Sequence, residues 1–291
     1  YWSLSNLRIK AVKSLFTAQM AYKKNTEDWF AHKTALITGA TSGIGREISL
    51  RLARYGCKVL PCGRSPEAMC SLLEELKEIS GRSTEGILAD FSDKQLLKDT
   101  INRLEEAYDI DILVNNAGFG YMGEFYPMAE DKIESMVEVN VSAVVSLCRA
   151  FLPKMTKKQG TGILNVGSIA SFFSTPLSTL YGATKYFVLS FTDGLHMEML
   201  PFGVHISGLY PGHTATNFIE RASGGKKKKW DKAIAAGEVA DLALDGLRRN
   251  KARIIPGVGN KMRFFASRVL PARIISNKIY ASAVKNYGDD R

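Results

Sequence analysis

Thr38-Gly39-Ala40-Thr41-Ser42-Gly43-Ile44-Gly45 joins a short apolar run, Thr34 to Thr38, to a stretch in which Ile44, Ile48 and Leu52 recur at helical spacing. A strand that turns on glycine straight into a helix is the front of a βαβ unit. Gly39 permits the tight exit from the strand, Gly43 lets the backbone approach a diphosphate, and Gly45 lets helix and sheet pack closely. Around Thr41, Ser42, Gly43 and Ile44 the free N–H groups and the dipole of the helix terminus favour a negative group. The stretch therefore reads as the cradle for the pyrophosphate of a dinucleotide.

Outward from it the pattern repeats. Short apolar runs occur at Lys58 to Cys62, Gly86 to Ala89, Ile110 to Val114, Gly162 to Val166, Val204 to Leu209 and Arg253 to Ile255, each bounded by Gly, Asp, Asn or Pro. Such runs suit strands buried on both faces of a parallel sheet. Helical segments lie between them, for example Ile133, Val137, Val141 and Val144. The expectation is an α/β chain with one doubly wound Rossmann domain over 33–257 and a parallel sheet of about seven strands. A lid is expected at about 213–237, with basic amphipathic extensions at 1–32 and 258–291.

Composition agrees with this. Of 291 residues, 45% are hydrophobic and 23% charged, which excludes wholesale disorder and fibrous repeats. No run reaches about 18 consecutive apolar residues, so no transmembrane helix is expected. Cys57, Cys62, Cys70 and Cys148 have no CxxC spacing. Neither a disulfide framework nor a metal site is expected, and an intracellular, reducing compartment fits. The net charge of +10 sits at the ends: +4 over residues 1–33 and +9 over 248–291, against −4 over 34–212 and +1 over 213–247. No nucleic-acid module accompanies it, so a nucleic-acid partner is not expected. Basic ends point to an anionic membrane surface or partner, or to solubility.

The second strand ends Leu60-Pro61-Cys62-Gly63-Arg64-Ser65, with glycine where an acid would take the ribose hydroxyls of NAD. Arg64, with Arg46 on the first turn of the glycine helix, can grip an adenosine 2′-phosphate, so NADP(H) is the expected cofactor. Further on, Tyr181 and Lys185 are four residues apart at the start of a predicted helix, which puts phenol and ammonium on one face. A neighbouring cation and an oxidised nicotinamide lower a phenol pKa from its ordinary value near 10, making Tyr181 a proton donor to a carbonyl oxygen. Ser168 ends the preceding strand and can hold that oxygen. Asn140, inside a helical stretch, can interrupt the backbone bonding and order a water reaching Lys185.

Taken together, Thr38-Gly-x3-Gly-Ile-Gly45, Asp90, Asn115-Asn116-Ala117-Gly118, Asn140, Ser168, Tyr181-x3-Lys185 and Pro211-Gly212 resemble the short-chain dehydrogenase/reductase family over about residues 33–257. The resemblance implies a catalytic tetrad of Asn140, Ser168, Tyr181 and Lys185. It implies that Asp90 contacts the adenine, that Asn116 sits beside the adenine ribose and braces the central strand, and that Ala117 and Gly118 line the cofactor. Lys185 would also hold the nicotinamide ribose. Pro211, Gly212, Thr214 and Thr216 would close over the carboxamide and diphosphate, with Thr214 standing where the family usually has an apolar residue.

By the same resemblance Phe119 to Phe125, Ile169 to Leu177 and the stretch after Pro211 line the substrate pocket. Phe119, Tyr121, Phe172 and Phe218 are the candidates for a bulky lipid, acyl or steroid substrate. The wording is similar to the branch with long-chain 3-ketoacyl-CoA reductases and 17β-hydroxysteroid dehydrogenases. A eukaryotic member would then be peripheral at the endoplasmic reticulum. A homodimer or homotetramer is expected, with Met136, Val144 and Leu147 supporting the pairing. The expected activity is NADPH-dependent reduction of a ketone or aldehyde. NAD-linked alcohol oxidation and a non-catalytic NADP-sensing scaffold are the alternatives.

Overall fold

Apolar runs without alternation must be covered on both faces, and the computed structural model, which describes residues 25–225 and 233–287, covers them so. After a helical stretch α1 (25–30) the order begins β1 (Thr34–Thr38), α2 (Gly43–Arg54), β2 (Lys58–Gly63), α3 (Pro66–Ser80), β3 (Ile87–Leu88), α4 (Lys94–Ala107) and β4 (Ile112–Asn115). It continues through α5 (Glu130–Val137), a π turn (Glu138–Ser142), α6 (Ala143–Met155), β5 (Gly162–Val166), a 3-10 turn (Ile169–Phe172), α7 (Thr179–Met199) and β6 (His205–Leu209). The segment expected as a lid holds β7 (Thr214–Ala215), α8 (Phe218–Ala222) and β8 (Ile234–Ala235). Then come α9 (Ala236–Arg248), β9 (Arg253–Ile254), α10 (Val258–Val269) and α11 (Ala272–Tyr287).

The main sheet has seven parallel strands in the order β3-β2-β1-β4-β5-β6-β9, the doubly wound arrangement the sequence predicts. The chain leaves β1 toward β2 and returns to β4 on the other side, which opens a crevice at the carboxyl ends of β1 and β4. One face of the sheet is covered by α2, α3 and α9 through Ile48, Leu52, Leu72, Val239 and Leu244. The other face is covered by α4 and α6 through Leu97, Ile101, Val144, Leu147 and Phe151.

Several expectations need correction. Met136, Val144 and Leu147 are buried inside the monomer, so they are not available to a dimer partner. Phe30 is fully buried in the core, and the neighbouring Trp29 stacks on His205, so the folded body begins before residue 33. The run Glu130–Met155 is long and apolar enough to cross a membrane by length and composition, although no unbroken apolar stretch marks it. Here it lies on the sheet and is partly buried in the fold. Most of the basic amphipathic extension expected at 1–32, residues 1–24, falls outside the described residues, as do residues 226–232 of the expected lid.

Candidate active site

The glycine turn is held from behind by one threonine and one asparagine. Thr38 Oγ1 accepts from the backbone N–H of both Asn116 (3.0 Å) and Ala117 (2.9 Å). Asn116 Nδ2 donates to the carbonyls of Thr38 (2.9 Å) and Gly39 (3.0 Å), fixing the exit of β1 against β4. Gly39 has φ of 63°, and a Cβ there would stand 2.9 Å from Ala117 Cα. A Cβ on Gly45 would collide with the Asn116 amide and the Gly39 carbonyl. The turn therefore admits no side chain at either position. Ser42, in the N-cap position of α2, makes no capping bond with its side chain, and the first turn of α2 carries no acid. Ser42, Gly43 and Ile44 at this helix start line the crevice, the place where an anion meets a helix N-terminus.

A cavity of about 1320 Å³ runs along this crevice. Gly39, Thr41, Ser42, Gly43, Ile44, Arg64, Asp90, Asn116, Ala117 and Gly118 line one part of it, and Ser168, Tyr181, Lys185, Pro211, Gly212, Thr214 and Thr216 another. That volume exceeds the usual range for small-ligand pockets of about 300–1,000 Å³ and leaves room for a dinucleotide with a second molecule beside it. Gly45 stands behind the turn rather than on the cavity wall.

Two predicted cations part company. Arg64 is on the wall, 69% exposed, with its Nη1 3.6 Å from the Asp90 carboxylate. Asp90 also accepts from the backbone N–H and hydroxyl of Ser92, and these bonds with Arg64 hold its carboxyl below the usual range. Arg46 instead turns away to an ion pair with Glu75 on α3 and does not line the cavity. That partner lies 29 residues along the chain on a neighbouring helix, where no local spacing signals it.

At the other end, Tyr181 and Lys185 lie on α7, and the Lys185 Nζ is 5.9 Å from the centre of the Tyr181 ring. The ammonium donates to the Val166 carbonyl at the end of β5 (2.8 Å). Burial pulls Lys185 down to about 8. The Tyr181 phenol is pushed up to about 12 by burial, which outweighs the opposing hydrogen bond from Ser168. This is opposite to the lowering expected from a neighbouring cation, and burial is its cause. Ser168 is the N-cap of the 3-10 turn, its Oγ accepting from Ala170 N (3.1 Å). Ser171 completes the support by accepting from Ser168 N and donating to the Lys185 carbonyl.

Asn140 sits in the π turn, fully buried. Its Oδ1 accepts from Phe119 N (3.1 Å), and its Nδ2 donates to Phe119 O (3.0 Å) and Thr184 Oγ1 (3.0 Å), so it clamps the β4 loop to α7. The expected break in helical bonding is there, as a wider turn rather than an end. A Cβ on Gly118 would stand 3.0 Å from Asn140 Oδ1 and 3.3 Å from Lys185 Nζ, so both groups press on the backbone at Gly118 and a side chain there would have to displace them.

The aromatic candidates also divide. Phe119 and Phe218 line the cavity, and Phe218 lies 5.6 Å from the Tyr181 ring. Phe172 does not: it is buried between Tyr210 (5.0 Å) and Phe264 (4.7 Å), while the next residue, Phe173, takes the wall position. Tyr121 faces a separate small hollow, with Lys132 over its ring. The sequence reading missed Arg221 on α8, which lines the cavity and donates to Ser42 Oγ. It also missed Arg263, Ala266, Ile275, Ile279 and Ala283, through which α10 and α11 form a wall.

The profile of the short chain dehydrogenase family matches residues 33–227. A very-long-chain 3-oxoacyl-CoA reductase of Anas platyrhynchos is 37% identical over 186 residues, covering 62% of this chain and 60% of that protein, so the match spans less than two thirds of that relative's length. A short-chain dehydrogenase of Sphingobium yanoikuyae solved with NADPH superposes with a TM-score of 0.75 at 31% identity, over 84% of this chain and 95% of that one. The bulky-bulky ketone specific alcohol dehydrogenase of Comamonas testosteroni gives 0.70 at 31% identity, over 81% and 92%.

Proposed function

The chain belongs to the short-chain dehydrogenase family of oxidoreductases, and from that premise we propose that it reduces a ketone or aldehyde on a bulky apolar substrate, with NADPH as cofactor and Tyr181 as acid. The observation that carries this reading is that Tyr181, Ser168 and Lys185 line the same cavity as the glycine turn. Bound NADPH supplies a hydride to the carbonyl carbon. Tyr181 gives its hydroxyl proton to the carbonyl oxygen, and Ser168 holds that oxygen by a hydrogen bond. A phenol carries its proton at neutral pH, as an acid in carbonyl reduction must. A water ordered by Asn140 and reaching Lys185 would return a proton toward Tyr181.

NADPH is favoured over NADH because Gly63 stands where an acid would meet the 2′-hydroxyl and Arg64 is at the wall beside it. With Arg46 tied to Glu75, Arg64 is the one of the two predicted arginines on the cavity wall, which supports its role toward a 2′-phosphate. Asp90 and Asn116 flank the adenosine end, and Thr214 and Thr216 the lid. A bulky substrate is supported by Phe119, Leu177 and Phe218 around the Tyr181 end of the cavity and by the names of the two relatives above. For a homo-oligomer the available face is the outer side of α7, where Tyr186 and Phe187 are exposed. A peripheral place at an anionic membrane accords with the basic ends.

Tyr181→Phe tests the mechanism. Carbonyl reduction is expected to fall by roughly two to four orders of magnitude, as removal of a general acid does, while NADPH binding stays within a few-fold. Unchanged turnover would sink the proposal.

A further inference from the structure

The helices α10 and α11 have two different sides. Inward, Arg263 and Ala266 of α10, with Ile275, Ile279 and Ala283 of α11, line the cavity. Asn260 is buried and donates to the Pro256 carbonyl (2.7 Å), and Phe264 packs on Phe172, so α10 is seated firmly on the body. Outward, Val258, Met262, Phe265 and Val269 follow one another at i, i+4, i+7 and i+11 and are 74, 67, 69 and 63% exposed. One exposed apolar residue is ordinary, but four on one helix stripe are not. Ile274, Tyr280 and Val284 extend the exposed apolar surface onto α11.

Charge identifies what would cover that stripe. Residues 258–287 contain six basic residues and no acidic one, and although Arg263 and Lys278 line the cavity, Lys261, Arg268, Arg273 and Lys285 do not. A second copy would bring the same uncompensated positive charge to the contact and repel it. An anionic lipid leaflet offers both an apolar interior for the stripe and negative headgroups for the rim.

We propose that the outer face of α10, with the exposed side of α11, docks on an anionic lipid leaflet, and that a lipid-like carbonyl substrate enters the cavity past this two-helix wall directly from the bilayer. The substrate half of this inference rests on the reading of the chain as a reductase of bulky apolar carbonyls. Docking itself does not depend on that reading.

The test is flotation of the full chain with phosphatidylcholine vesicles, with and without phosphatidylserine, at low and high salt. Binding is expected only with phosphatidylserine and is expected to be released as salt screens the charges. The double substitution M262E and F265E touches neither the cavity wall nor the core. It is expected to lower partitioning by roughly tenfold or more, since both apolar side chains leave the interface. Its melting temperature and its turnover of a water-soluble ketone are expected to stay as in the unsubstituted chain. Turnover of a ketone dissolved in the vesicles should fall with the binding.

Failure of the wild type to float, flotation that survives M262E/F265E, or a dimer dissolved by that substitution without any flotation would each overturn the docking face. Flotation with no effect of the substitution on the vesicle-dissolved ketone would overturn the entry route. A chain that floats as described but reduces no carbonyl would overturn the functional reading and leave docking standing.

Discussion

Arg221 on the lid helix donates from Nη2 to Ser42 Oγ of the glycine turn at 3.1 Å, so a cation of the lid stands over the segment built for a diphosphate. Thr216 closes the same side, its methyl 3.0 Å from the point where a Cβ of Gly43 would be. Because the diphosphate is common to both nicotinamide cofactors, Arg221→Gln is expected to weaken NADPH and NADH alike, by roughly tenfold for one charge-assisted hydrogen bond. Arg64→Gln is expected to weaken NADPH by a similar factor and to leave NADH unchanged. Fluorescence titration of both cofactors against both variants separates the two roles.

Burial lowers Lys185 to about 8, so its ammonium is charged below that pH and neutral above it. NADPH is an anion whose ribose hydroxyls accept from a cation. Affinity is therefore expected to be greatest below pH 8 and to weaken as pH rises through it. In Lys185→Met the affinity should be lower at neutral pH and should lose this step. A wild-type profile that is flat through pH 8 would remove Lys185 from the cofactor site.

Phe172 and Phe218 test the division between core and wall. Phe172→Ala removes a ring packed on Tyr210 and Phe264 and is expected to cost about 3–5 kcal/mol of stability, read by denaturant unfolding. Phe218→Ala is expected to leave stability within about 1 kcal/mol, as for a half-exposed position, and to raise KM for bulky ketones. Equal losses of stability would mean that Phe218 is a packing residue.

The parts legible in the sequence are those with a local signature. Strands buried on both faces are unbroken apolar runs, and β1 and β5 fall on the residues expected. The glycine turn and the Tyr181–Lys185 pair are spelled by short spacings, whereas grouping Asn140 and Ser168 with them takes the family resemblance. What escaped depends on partners distant in the chain. Arg46 looked free because Glu75 lies on another helix, and Met136, Val144 and Leu147 looked like a contact stripe because a helix facing its own sheet has the same periodicity as one facing a partner. Phe172 and Phe173 are adjacent, and only the 3-10 turn decides which of them points inward. For α10 and α11, a basic amphipathic pattern fits a membrane, a cavity wall or both, and the sequence carries no sign of the cavity beneath them.

The π turn at Glu138–Ser142 has a consequence for the way this chain tolerates change in length. It inserts an offset between two helices that otherwise run on as one. Each residue of an α-helix advances its direction by about 100°. A π turn holds about one residue more than an α turn, so deleting one residue between 138 and 142 would restore regular winding and leave α5 and α6 near their present phase. What it would undo is the offset that sets Asn140 against Phe119 and Thr184. A deletion elsewhere in α5 or α6 has no such slack and would turn one of them by that angle, taking the buried stripe of α6 off the sheet. This helix can give up a residue without turning only at the point where Asn140 needs it.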